Sequence, residues 1–160
     1  MKVLPSSAGF FWRIVSLSVI VSLGAVSLGN FLGCGRGGTA SAPMQQSNIK
    51  PLAMLYGQFM GQHQGRPPSS EEEFKKFIQE RGMGILKQFG IPSVDALFIS
   101  ERDKQPYVVI YGEPKGPPAL AGQPVCVYER QGVGGRRYVA SSLGAVEEVD
   151  EARFRELVPQ

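Results

Sequence analysis

The stretch "VCVYERQGVGGRRYVASSLGAVEEV", residues 125–149, decides the fold. Two runs of strand-forming residues, VCVYER and RRYVASS, flank QGVGG, whose glycines supply the positive φ that a hairpin turn requires. LGAVEEV is a further short strand candidate. Links this short cannot hold a crossover helix, so the strands pair antiparallel.

Moving outward, Asp150 is placed to N-cap a last helix, EARFRELV, with Phe154, Leu157 and Val158 on its inner side. On the other flank, "ALFISERDKQPYVVIYGEP" reads as a hairpin. One strand runs from Ala96 to Ser100, Asp103 and Lys104 form the polar connection, and Tyr107 to Tyr111 return. A Pro- and Gly-rich loop, GEPKGPPALAGQP, joins this hairpin to residue 125.

Two helices precede the strands. In "NIKPLAMLYGQFMGQHQG", Ile49, Leu52, Tyr56, Phe59, Met60 and His63 recur at steps of three and four, which predicts an amphipathic helix ending near Gly65. Pro51 suits its first turn. After the break RPPSS, Ser70 and Glu73 form a capping-box pattern that opens a second helix through about Arg81, with Phe74, Phe77 and Ile78 inward. Glu71, Glu72 and Glu73 complement the positive end of its dipole. Helices followed by strands on short turns predict an α+β domain over residues 48–160, with N-terminal helices on a small, mostly antiparallel sheet and a short C-terminal helix.

The N-terminus carries an address. Lys2 and Arg13 precede a run without charge from Ile14 to Gly33, the layout of a secretory signal. About 20 apolar residues also suffice to span a bilayer. The run ends in "SLGNFLGCGRGG", where Leu32, Gly33 and Cys34 resemble the lipobox of bacterial lipoproteins, with Phe31 where that family usually has Leu. The resemblance implies cleavage between Gly33 and Cys34, lipid on Cys34, and a membrane anchor at the periplasmic or outer face of a bacterial envelope. An uncleaved signal anchor is the alternative. Residues 34–47, rich in Gly, Ala, Ser and Gln, read as a flexible tether.

A second resemblance is architectural. An apolar N-terminal segment, a helix, a break at Pro67 and Pro68, a short helix and a small antiparallel sheet look like the pseudopilins of type II secretion. That likeness implies a structural subunit. Here Gly9, Phe10 and Phe11 are followed by Trp12, Arg13 and Ile14, so the Glu of the pseudopilin motif is absent.

Charge and chemistry narrow the function. Of 17 basic residues, Lys2 and Arg13 fall before the cut, leaving fifteen against 14 acids. The exported part is nearly neutral, and no basic stripe with interleaved aromatics points to nucleic acid. His63 is the only histidine, and Cys126 the only cysteine besides Cys34. Walker loops, Gly-x-Ser-x-Gly, His-Glu-x-x-His and Cys-x-x-Cys are absent. No metal or other cofactor is therefore expected. His63 reads as a helix-terminal, half-buried residue, and Cys126 as a small buried hydrophobe.

In "RQGVGGRRY" the glycines with Arg136 and Arg137 form either a hairpin turn or an anion site. Glu101, Asp103 and Glu129 are acids that a sheet edge could gather. The expected role is a membrane-tethered, non-catalytic interaction domain with an envelope protein as partner. A surface aromatic patch on the sheet, involving Tyr107, Tyr111 or Tyr128, would support it. A pseudopilin-like subunit and a small exported enzyme are the alternatives.

Overall fold

The computed structural model describes residues 47–159. The signal segment and Cys34 lie outside them. Among the described residues no helix is long and apolar enough to cross a membrane.

The elements run α1 (Ile49–Gln62), α2 (Glu71–Phe77), a π turn (Ile78–Gly82), α3 (Met83–Phe89), α4 (Val94–Leu97), β1 (Val108–Val109), β2 (Val125–Tyr128), β3 (Arg136–Ser141), β4 (Val146–Asp150) and α5 (Glu151–Leu157). The four strands form one antiparallel meander in chain order, with β1 and β4 at its edges. This is the α+β class that the strand run predicts.

Alternation along β3 sorts the core into two faces. Tyr138 and Ala140 enter a cluster with Ile49, Leu52, Tyr56 and Phe59 of α1 and Phe74 of α2. Val139 enters another, with Val125, Val149, Phe154 and Leu157. The sheet is therefore covered by α1 and its neighbours on one face and by α5 on the other. A register shift between Val125 and Val127 leaves Cys126 unmatched, and all three are buried.

Local signals explain the helix ends. Ser70 Oγ accepts from the Glu73 amide at 3.2 Å, but the Glu73 carboxylate returns to Ser69, accepting from its amide and hydroxyl at 2.7 Å each. The capping box is thus offset by one residue. Ser93 and Asp150 cap α4 and α5 in the same way. At α1 the carboxylate of Glu101 accepts from the Asn48 amide at 3.1 Å. Ser47, within the expected tether, is buried and bonded to the Tyr107 hydroxyl at 3.0 Å.

Two expected elements differ. Residues 96–100 form no strand: Ala96 and Leu97 end α4, and the sole remnant of the hairpin's first arm is the bridge between Ile99 and Pro106. Ser93 caps that turn of helix, and Leu97 and Phe98 are buried without a ladder. The second helix continues past Arg81 through the π turn into α3, ending at Gly90 with φ +68°. Gly82 permits this, since a Cβ there would sit 2.7 Å from Leu55.

Gly57 lets α1 meet the β3–β4 turn. A Cβ at Gly57 would stand 1.9 Å from the Ser142 carbonyl oxygen, whereas one at Gly61, a turn later, would meet nothing within 4 Å. Gly57→Ala is expected to lower stability by about 1–2 kcal/mol, because overpacking against backbone outweighs the helix gain. Gly61→Ala should raise it by up to about 1 kcal/mol. Equal thermal shifts for the two variants would contradict the close approach.

Candidate functional site

The densest polar cluster joins the loop after α4 to the β2–β3 hairpin. Glu129, the residue after β2, is wholly buried, with one carboxylate oxygen accepting from the Tyr138 amide at 2.8 Å and the other from the Ser100 hydroxyl at 2.9 Å. Arg102, its side chain 3% exposed, brings Nε to 3.7 Å from Glu129 and Nη2 to 2.9 Å from Glu148. Its guanidinium lies 4.0 Å above the Tyr138 ring. Its Nε and Nη1 have no hydrogen-bond acceptor. Burial pushes the Glu129 carboxyl above its usual range, against the Tyr138 amide, the Ser100 hydroxyl and Arg102, which pull it down.

The three acids singled out in the sequence serve different partners. Glu101 holds the start of α1 and lies 3.4 Å from the Tyr107 hydroxyl. Asp103 accepts from the amides of Gln105 at 3.0 Å and Gly132 at 2.9 Å. Burial works to raise its carboxyl, and these amides outweigh it, holding the group below its usual range. Glu129 is committed to Ser100, Tyr138 and Arg102. The cluster thus ties loop to hairpin, and Arg102, which gives it its charge balance, carries no sequence signal beyond being an arginine between two acids.

The segment 130–138 is a turn. Val133 and Arg136 exchange backbone bonds at 2.8 and 3.1 Å around Gly134 and Gly135, whose φ values of +62° and +75° fit a type I′ turn. Arg136 meets Glu148 at 3.5 Å and donates to its carbonyl at 3.0 Å. Arg137 pairs with Glu151 at 2.5 Å, donates to the Arg130 carbonyl, and lies 4.1 Å over Phe154. Both guanidiniums are spent within the fold, which favours the turn over an anion site.

His63 caps the end of α1, its ring stacked on Phe59 at 4.0 Å and its Nδ1 2.7 Å from the Phe59 carbonyl oxygen. Cys126 is buried, and desolvation pushes its thiol far up, away from the thiolate a nucleophile needs. Of the three tyrosines, Tyr107 is buried in the core, whereas Tyr111 and Tyr128 line a groove of about 260 Å³ beside Leu157 and Pro159. Tyr111 and Tyr128 therefore share a groove to which Tyr107 does not contribute. Among the described residues no three His, Cys, Asp or Glu side chains gather to hold a metal ion.

One part of the surface is apolar. Leu143, at the tip of the β3–β4 turn, is 65% exposed. Beside it Met54, Gly57 and Met60 of α1 line an open groove of about 440 Å³ closed by Gln58, Gln123 and Ser142, with no charged residue in its wall. No sequence motif marks this groove, because it arises where Gly57 admits the turn. No family model, curated protein or solved structure matches the chain.

Proposed function

We propose that the chain is exported, cut between Gly33 and Cys34, and lipid-anchored through Cys34, and that its α+β domain acts at the envelope by contact with a protein rather than by catalysis. The lipobox-like segment supports the address. The single observation that carries the role is the groove of Met54, Met60 and Leu143. Its wall is uncharged, so it suits an uncharged apolar segment of an envelope protein, and methionines adapt to such partners. The acids and arginines singled out as candidate chemistry are engaged with one another or with backbone.

Intact mass of the protein from its native membrane tests the anchor. The expected mass is that of residues 34–160 plus diacylglycerol, lost in Cys34→Ala. A full-length mass without lipid would overturn the anchor and move the pseudopilin-like alternative forward. Stable attachment needs more than one acyl chain, at about 0.8 kcal/mol per buried methylene.

A further inference from the structure

A second groove, between the end of α1 and the start of the second helix, encloses about 280 Å³. Phe59 and Phe77 form its floor, and His63, Lys76, Glu80 and Arg81 line its rim together with Glu73. Three features of the groove bear on what it can bind.

The first is the histidine's tautomer. A carbonyl oxygen only accepts, so the contact from Nδ1 to the Phe59 carbonyl at 2.7 Å places a proton on Nδ1. In the neutral ring the lone pair is then at Nε2, and no described residue is hydrogen-bonded to it. Stacking on Phe59 and an edge contact to Phe77 at 6.1 Å hold the ring in that pose.

The second is charge. Glu73 is neutralised by Arg66 at 2.6 Å, and that hydrogen bond with those from Ser69 holds its carboxyl down at about 2. Lys76, Glu80 and Arg81 make no ion pair with any described residue. Two unpaired cations against one unpaired carboxylate leave the rim with one excess positive charge.

The third is backbone. Glu80 and Arg81 sit in the π turn, a departure from α geometry that is found often at functional sites.

We propose that this groove binds hydrogen phosphate. The anionic oxygens take Arg81, whose fork suits two of them, and Lys76. The remaining O–H of the dianion donates to His63 Nε2. This arrangement selects against sulfate, which has no O–H to donate in mildly alkaline buffer.

The test uses the full chain in nonionic detergent. His63 is the sole histidine, so its ring nitrogens give one unambiguous set of NMR signals. Inorganic phosphate is titrated at constant ionic strength, with sulfate in parallel. The expected result is a saturable shift of Nε2 with phosphate, at least about tenfold weaker with sulfate. Arg81→Gln should weaken phosphate about tenfold, Glu80→Gln should tighten it, and Lys87→Gln on α3 should change nothing. Absence of a saturable shift, equal response to sulfate, or unchanged affinity in both Arg81→Gln and Glu80→Gln would overturn the site. Both substitutions are on exposed side chains, so loss of folding does not confuse the outcome.

Discussion

Glu129→Ala is expected to cost the domain about 3–5 kcal/mol, the range for breaking a buried ion pair from one side. Truncation strips the partner from Arg102, which lies 3% exposed with two nitrogens already lacking acceptors, and it removes the carboxylate to which the Tyr138 amide donates. Glu148 still neutralises part of the charge from 2.9 Å, but it stands at the partly exposed end of the cluster. Urea unfolding measures the loss. The double variant Glu129→Leu with Arg102→Met supplies the discriminating comparison. Removing both charges should recover most of the stability, since well-packed apolar residues often replace a buried pair at little cost. A single variant costing under about 1 kcal/mol, or a double variant no better than the single, would rule out the pair as the source.

Phe74→Ala is expected to be comparably severe, again about 3–5 kcal/mol. Phe74 is fully buried and stands edge-on to three rings, with centroids 5.7 Å from Tyr56, 6.2 Å from Phe59 and 6.0 Å from Phe98. It therefore joins α1, α2 and the end of α4, and its loss leaves a cavity that three separate elements would have to collapse to fill. The thermal midpoint should fall on the order of 10–20 °C. Phe74→Leu, which keeps most of the volume, should lose less than half as much. If the two variants melt together, ring geometry and volume at this position do not hold the elements in place.

Much of the fold could be read from local chemistry. Helix α1 follows from apolar steps of three and four, the start of α2 from Ser70 and Glu73, the hairpin from Gly134 and Gly135, and α5 from Asp150. Each signal acts within a few residues, so sequence spacing displays it. The segment 96–100 departs from the expected strand because a short apolar run buries equally well in a strand or a helical turn. Ser93, three residues before Ala96, was the available sign of a helix. The continuation through Gly82 and Gly84 runs against helix propensity; at Gly82 the close approach of Leu55, a neighbour distant in sequence, accounts for the glycine.

The candidate sites were less legible for the same reason. Arg102 and Glu129 are 27 residues apart and meet only when the loop folds onto the hairpin. Lys76, Glu80 and Arg81 look like an ordinary solvated helix face until α1 places His63 and two phenylalanine rings beside them. Arg136 and Arg137 show the converse: adjacent charges that suggested a ligand site are absorbed by Glu148 and Glu151.

The sheet's two borders bear on how copies of the chain behave when crowded. β1 has only two residues, too few to template an incoming strand. β4 is longer, but its VEEVD sequence sets Glu147, Glu148 and Asp150 along the outermost strand. A second copy approaching edge to edge would bring like charges together. The meander is thereby protected from open-ended strand addition, and a high local density of the protein need not become a fibril.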